Sequence, residues 1–244
     1  MIRVDLVIPV LNEEETIFSQ VEYVLGYFEH LNHVGVEFNL VIADNGSTDS
    51  TPELAERLVE TYSDKLRIER VSRPGVGLAL KHAWIKSDAD WVGYMDLDLA
   101  TDLVHLNEVV SLVSSEQWDL IYGSRLSGSS VVKNRSFFRE ITSRIFNFIL
   151  RFYLRVNVKD GMCGFKFVRR ALLDEIIERG ADSDGWFFCA ALLVVGEHSG
   201  FRLKELPVMW TDDPNSKVKA VPLAIRYLKE MKRLKSALKT SSVL

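Results

Sequence analysis

The amino-acid sequence predicts an α/β fold, a mostly parallel central sheet flanked by helices, with a helical elaboration in its C-terminal part. Three observations predict it. Over the first 125 residues, short apolar runs alternate with segments whose apolar residues recur at helical spacing. Such alternation is the pattern of a parallel sheet covered on both faces. Acidic residues also fall where the runs stop, which in a sheet of this kind is one rim, the place where ligands gather.

The elements follow in order. "RVDLVIPV" (3–10) is a strand ended by Asn12, and "EEETIFSQVEYVLGYFEHL" (13–31) sets Ile17, Val21, Val24, Leu25 and Phe28 on one helical face. "FNLVIADNGS" (38–47) is a strand running into a turn. In "STDSTPELAERLVETY" (47–62), Ser and Thr precede Pro52 and acids occupy the first turn, the signature of a helix start. "LRIERVSR" (66–73) is a third strand, "GLALKHAWIKS" a helix and "DWVGYMDLD" a fourth strand. "LVHLNEVVSLVSS" and "WDLIYGSR" add another helix and strand. Beyond these, residues 134–156 read as a helix rich in Phe and Ile, expected to pack those residues in the core. "DGMCGFKFVRR" (160–170) is a strand or tight turn, "ALLDEIIERG" a short helix stopped by Gly180, "DGWFFCAALLVVGEHSG" a helix, "FRLKELPVMW" a strand and "DDPNSK" a loop. From Val218 a last helix carries Val221, Ile225, Leu228, Met231 and Leu238 on one side. The expected division is a main domain over 1–217 and a basic amphipathic helix and tail over 218–244.

Composition excludes several classes. At 244 residues, 47% hydrophobic and net charge −4, the chain has the make-up of a globular domain and no global attraction to nucleic acid. Cys163 and Cys189 have no metal-type spacing, which suits a reducing cytosol. No run of 18 apolar residues occurs, so no membrane span is expected. Lys217, Lys219, Arg226, Lys229, Lys232, Arg233, Lys235 and Lys239 face only Glu230 as an opposing charge. Such a tail either lies on an anionic membrane surface or packs on the sheet with a solvated basic face. The expected location is cytoplasmic, peripheral at a membrane, with a membrane-anchoring partner subunit as one means of attachment.

The chemistry concentrates in "WVGYMDLDLATD" (91–102), where a core strand runs into Asp96 and Asp98. Burying a carboxylate costs several kcal/mol unless it is paired or metal-bound. In extended backbone, residues i and i+2 share a side, so both acids can approach one cation. Oxygen ligands suit Mg²⁺ or Mn²⁺, which take the rest of their shell from water and phosphates. Asp44 in "VIADNGSTDST" is placed to accept hydrogen bonds from a base or ribose, and equally to build a turn. "RPGVGLALK" (73–81) has two glycines before a helix but Leu80 where a dinucleotide fingerprint needs a third.

In order and spacing, "IPVLNEEE", "ADNGSTDST", "RPGVGLAL", "MDLDLA" and "YGSR" resemble glycosyltransferase family 2, with its GT-A nucleotide-sugar fold. "FREITSRIFNFILR", "DGMCGFKFVRR", "LKELPVMW" and "NSKV" are similar to the dolichyl-phosphate mannosyltransferase-like branch, which includes polyprenyl-phosphate sugar transferases. The likeness spans about residues 3 to 217. It implies an inverting, Mg²⁺- or Mn²⁺-dependent transfer of mannose or glucose from GDP-mannose or UDP-glucose to a polyprenyl or dolichyl phosphate. Residue by residue it implies Pro9 and Glu13 lining the base, Asp44 bonding to it, and Asp96 at the ribose or metal. Asp98 would hold the metal, while Arg125, Arg139 and Ser143 would meet the acceptor phosphate. Arg139, Ser143 and Asn147 recur every four residues and so share a helix face. Three positions depart from the family pattern: Leu11 for a Tyr, Ala100 for a Gln, and Ala191 for an acid. Two other readings stay open on these residues. A sugar hydroxyl could be the acceptor, with Asp160 or Asp184 as base, or the chain could bind a nucleotide sugar without turnover.

Overall fold

The computed structural model describes residues 1–31, 35–212 and 220–241. Its first half runs β1 (Ile2–Val10), α1 (Ile17–Leu31), β2 (Val36–Asp44), α2 (Thr51–Thr61), β3 (Leu66–Arg70), α3 (Val76–Ile85), β4 (Trp91–Met95), α4 (His105–Ser114) and β5 (Leu120–Ser124). The second half runs β6 (Val131–Lys133), α5 (Phe137–Leu154), β7 (Phe165–Arg169), α6 (Leu173–Glu178), α7 (Phe187–His198), β8 (Leu203–Pro207), β9 (Met209–Thr211) and α8 (Ala220–Ser241). Seven strands form one sheet in the order β3-β2-β1-β4-β7-β5-β8. All neighbours are parallel except β7, which is antiparallel to both β4 and β5.

Alternation along β1 explains the layering. Val4, Leu6, Ile8 and Val10 point into a core shared with α1, α2 and α4, while Val7 points into a second core with α3, α6, α7 and α8. The sheet is thus buried on both faces, as the apolar runs predict. Strand order reverses between β1 and β4, which makes the carboxyl ends of these strands a crevice. Because β7 runs the other way, its first residues reach the same rim: Phe165 sits opposite Met95. At the far end of β1, the buried Asp5 is satisfied by Arg67 at 2.7 Å and by the Ser87 hydroxyl, a structural pairing remote from the rim.

Several sequence expectations need correction. "FRLKELPVMW" is two strands: Pro207 closes β8, and β9 leaves to pair with β6 in a separate two-stranded sheet. The helix in 134–156 starts only at Phe137, with Ser136 as its cap, and ends where Arg155 turns left-handed at φ 56°. Of its Phe and Ile residues only Phe146 and Ile149 pack against the core, while Phe137, Phe138, Ile141, Ile145, Phe148 and Phe152 are exposed. Conversely, α8 points its apolar side inward. Tyr227, Met231 and Leu234 are buried, and Tyr227 meets Phe146 and Phe187 at ring-centroid distances of 5.4 and 5.8 Å. Met231 and Leu238 of the expected stripe thus pack against the body, Leu228 is exposed, and the side chains of Val221 and Ile225 lie outside the described residues. Lys217, Lys219 and the "NSKV" motif also lie outside them. No helix among the described residues is long and apolar enough to cross a membrane.

The glycines of "RPGVGLALK" are packing glycines. A Cβ on Gly77 would lie 2.3 Å from the Ser183 carbonyl oxygen and 2.6 Å from Phe188 Cβ, so their absence lets α3 press against the segment leading into α7. Gly77→Ala is therefore expected to destabilise the fold by about 1–3 kcal/mol. A lower midpoint in urea unfolding at unchanged slope checks this.

Candidate active site

The acidic corner begins where β4 stops. Asp96 lies beyond the last strand residue, so the pleat does not aim the two carboxylates together, as extended backbone would. A turn does it instead. The Leu99 N–H bonds to the Asp96 carbonyl at 3.3 Å, and Leu99 takes the left-handed region at φ 52°. Asp98 Oδ1 accepts the Ala100 N–H at 3.0 Å. Leu97 and Ala100 are buried in the core and anchor the turn on either side of the exposed Asp98.

Asp96 sits deeper. A Cβ on Gly164 would lie 1.8 Å from Asp96 Oδ2, so the carboxylate rests on bare glycine backbone. Its Oδ1 is enclosed with no hydrogen-bond partner among the described residues. Burial and then the neighbouring Asp98 push its pKa up to about 7, against the opposing charges of Lys166 and Arg125. Enclosed and unpaired polar atoms are rare and costly. Here the deficit is negative, and a divalent cation held by Asp96 and Asp98 would meet it. Only these two acids come together, and no cluster of three or more metal-ligating side chains exists among the described residues. The remaining ligands would be phosphate and water.

The sequence reading missed Lys166. It is fully buried on β7, and its Nζ donates to the Cys163 carbonyl at 2.5 Å and to the Tyr94 hydroxyl at 3.4 Å. A lysine between Phe165 and Phe167 in an apolar strand was the available signal. Burial pushes the Cys163 and Cys189 thiols up to about 12 and about 11, so neither is a nucleophile.

Arg125 follows β5 and grips Asp160 with both prongs of its guanidinium, at 2.8 Å (Nε) and 2.9 Å (Nη2), while its main-chain N–H donates at 3.1 Å. The guanidinium also lies 4.8 Å from the Trp210 ring centroid. Burial alone would raise the Asp160 pKa, but the charge and hydrogen bonds of Arg125 outweigh it and hold it at about 2. Arg139, on α5, pairs with Asp212 at 2.8 Å, and Ser143 stands half-buried one turn on. Asn147 is buried and fastens α5 to the Asp160 loop by accepting the Gly161 N–H at 2.8 Å. Arg135 is a second missed residue. Its pKa is lowered by burial and by repulsion from Arg125, which places a further cation in the same field.

Pro9, Glu13 and Asp44 lie at the adjoining ends of β1 and β2, where Pro9 is level with Ala43. Much of their polarity braces turns. Asp44 Oδ1 accepts the Ser47 N–H at 3.0 Å, and its Oδ2 is 4.0 Å from Arg70 Nε. Glu13 takes the Thr16 hydroxyl at 3.1 Å, and its N–H donates to Thr51 Oγ1 at 2.8 Å. Leu11 is exposed beside them.

The two acids considered as bases are both neutralised. Asp160 is paired as above. Burial raises the Asp184 pKa, but hydrogen bonds from Arg73 at 2.5 Å and Lys81 at 3.0 Å bring it below the usual carboxylate range. Ala191 is buried in α7, among residues that are themselves buried and apolar.

Two outcomes follow. Asp96 has a raised pKa in the folded state, so the folded form holds its proton longer than an unfolded chain at about 3.9. Its contribution to stability falls as pH rises between those two values and is flat above about 7. In chelator-treated buffer, Asp96→Asn should exceed the parent in stability at about pH 8, by on the order of 2 kcal/mol, and match it near pH 4. Urea titrations at the two pH values check this. Asp160→Leu leaves the Arg125 charge buried and unpaired, and should cost about 3–5 kcal/mol by the same assay.

Comparison with known proteins identifies the family and the fold. The family model described as "Glycosyl transferase family 2" matches residues 5–177. The glycosyltransferase AglD of Haloferax volcanii is 35% identical over 90% of this chain, which spans only 35% of that relative's length. A dolichyl-phosphate beta-glucosyltransferase of Dictyostelium discoideum is 25% identical, over 96% of this chain and 74% of its own. A polyprenol monophosphomannose synthase of Mycolicibacterium smegmatis is 28% identical, over 86% and 78%. Among solved structures, glucosyl-3-phosphoglycerate synthase of Mycobacterium tuberculosis, in complex with Mn²⁺, UDP-glucose and phosphoglyceric acid, superposes with a TM-score of 0.65 at 20% identity. That match covers 97% of this chain and 79% of the other. Sheet order, rim and family model agree: the fold is of the GT-A type, and the chain belongs to glycosyl transferase family 2.

Proposed function

We propose that the chain transfers a hexose from a nucleotide diphosphate sugar to a polyprenyl or dolichyl phosphate, inverting the anomeric centre. The observation that carries this reading is the state of the two candidate bases. Asp160 and Asp184 are both held ionised by cations that occupy them. A sugar hydroxyl must lose a proton to attack, whereas a phosphate monoester with second pKa about 6 is already largely dianionic at neutral pH. A site whose two candidate bases among the described residues are engaged by cations, and which carries several arginines, matches a phosphate acceptor.

Each residue then has a task. Pro9, Glu13 and Asp44 bind the base and ribose at the ends of β1 and β2. Asp96 and Asp98 hold Mg²⁺ or Mn²⁺ against the diphosphate, and when bound the cation supplies the positive charge that stabilises the leaving group. Arg125 is aligned by Asp160 and lies over the Trp210 ring. With Arg139 and Ser143 it orients the acceptor phosphate and balances its charge. The donor is UDP-glucose or GDP-mannose, glucose and mannose being the sugars in the names of two relatives, and the acceptor places the protein at a membrane surface, with or without an anchoring partner subunit.

Incubation with Mn²⁺, radiolabelled UDP-glucose or GDP-mannose, and polyprenyl phosphate should yield a lipid-linked sugar in the organic phase. Product only on added sugar acceptors would overturn the reading. Asp98→Ala should lower the rate at least about a hundredfold, the scale of a lost charge-stabilising contact, with its thermal midpoint unchanged without nucleotide.

A further inference from the structure

A continuous apolar ridge is left uncovered on α5. Phe137, Phe138, Ile141, Ile145, Phe148 and Phe152 are respectively 78, 65, 38, 53, 66 and 80% exposed. At about 100° per residue they fall within one arc of roughly 100°, extending some 20 Å along the helix. The Phe148 and Phe152 rings stack at 6.2 Å with only 10° between their planes. Ridges of this size on a protein surface mark an interaction site.

The helix cannot roll to hide them. Asn147, Leu150 and Leu154 are buried on its opposite side, Asn147 holds Gly161, and Phe146 packs on Tyr227 of α8. The borders of the ridge are cationic. Arg144 and Arg151 are exposed along one edge. Beyond the other edge α8 lays Lys235 over the Tyr153 ring, with Nζ 3.9 Å from the centroid. Glu140, the one acid on α5, is bonded to Arg144.

We propose that α5 docks the protein on an anionic lipid bilayer, lying in the membrane plane with this ridge set at the boundary of headgroups and acyl chains. An apolar arc between basic borders is the amphipathic arrangement that such surfaces bind. A second copy of the chain fits less well, since ridge-to-ridge pairing would bring two sets of basic borders together. The purpose of the docking rests on the transfer proposed above. Arg139 and Ser143 are carried by the same helix, so a phosphate-headed lipid emerging beside the ridge has about one helix diameter, roughly 10 Å, to travel.

The test is sedimentation of the full chain with phosphatidylcholine vesicles, with and without phosphatidylserine, in the absence of donor and acceptor. The parent should pellet with the anionic vesicles. The double variant Phe148→Ser/Phe152→Ser should partition at least about tenfold less, with the same thermal midpoint and the same stabilisation by nucleotide sugar. A parent that stays in the supernatant with both vesicle types overturns the proposal, as does a variant that pellets equally well. So does a parent dimer, seen by sedimentation velocity, that the variant converts to monomer. Vesicle binding without lipid-linked product would sink the transferase reading alone. Transfer to a short-chain acceptor in solution without vesicle binding would sink the docking alone.

Discussion

The site depends on a carboxylate pressed against a backbone that has no side chain. Asp96 occupies the space that any residue other than glycine would fill at position 164, with one oxygen sealed from solvent and unbonded among the described residues. That placement follows from strand direction. Were β7 parallel to its neighbours, its amino end would lie at the opposite edge of the sheet, and Gly164 and Lys166 would be far from β4's terminus. The single reversed strand builds the floor on which the negative charge sits, and Lys166 only partly offsets it.

A few residues along the same loop, Asp160 meets the opposite fate. Asp160 is fully buried and Asp96 half-buried with one oxygen sealed, yet Asp96 is driven toward neutrality and Asp160 is held ionised. The difference is a two-pronged guanidinium in contact with one and absent from the other. One corner of the rim therefore carries negative charge that only Lys166 and Arg125 partly offset, while in the next each of Arg125, Arg135 and Arg139 is matched by an acid, Asp160, Glu140 and Asp212. A diphosphate and a second phosphate anion need such a division. One must be drawn to a cation and the other oriented by arginines whose neighbouring acids, Asp160 and Asp212, are already engaged in ion pairs.

Much of this was legible in the sequence because it follows from periodicity and strand ends. The apolar runs located β1, β2, β4 and β5, and the acids at their ends located the rim. What was not legible depended on partners distant in the chain. Nothing in "DLD" reveals that the strand stops at Met95 and that a turn brings the carboxylates together. The pairing of Arg125 with Asp160, which decides whether that acid can serve as a base, links two loops on either side of α5. Helical spacing correctly separated the two faces of α5 but could not tell which faced inward. The polar Asn147 is buried and bonds Gly161, while Phe137, Phe138, Phe148 and Phe152 are left outside. In α8 the same ambiguity resolved the other way.

The position of β7 also has a consequence for assembly. It is inserted between β4 and β5, both of which precede it in the chain, so neither can pair with its final neighbour until the segment after α5 has been made and delivered. During synthesis, β1 to β4 can form a half-sheet whose β4 edge stays open, an arrangement prone to pairing with other chains. Closure brings together strands far apart in sequence, the kind of step that slows folding. The acidic corner is thus completed only when the nascent half-sheet receives its reversed strand.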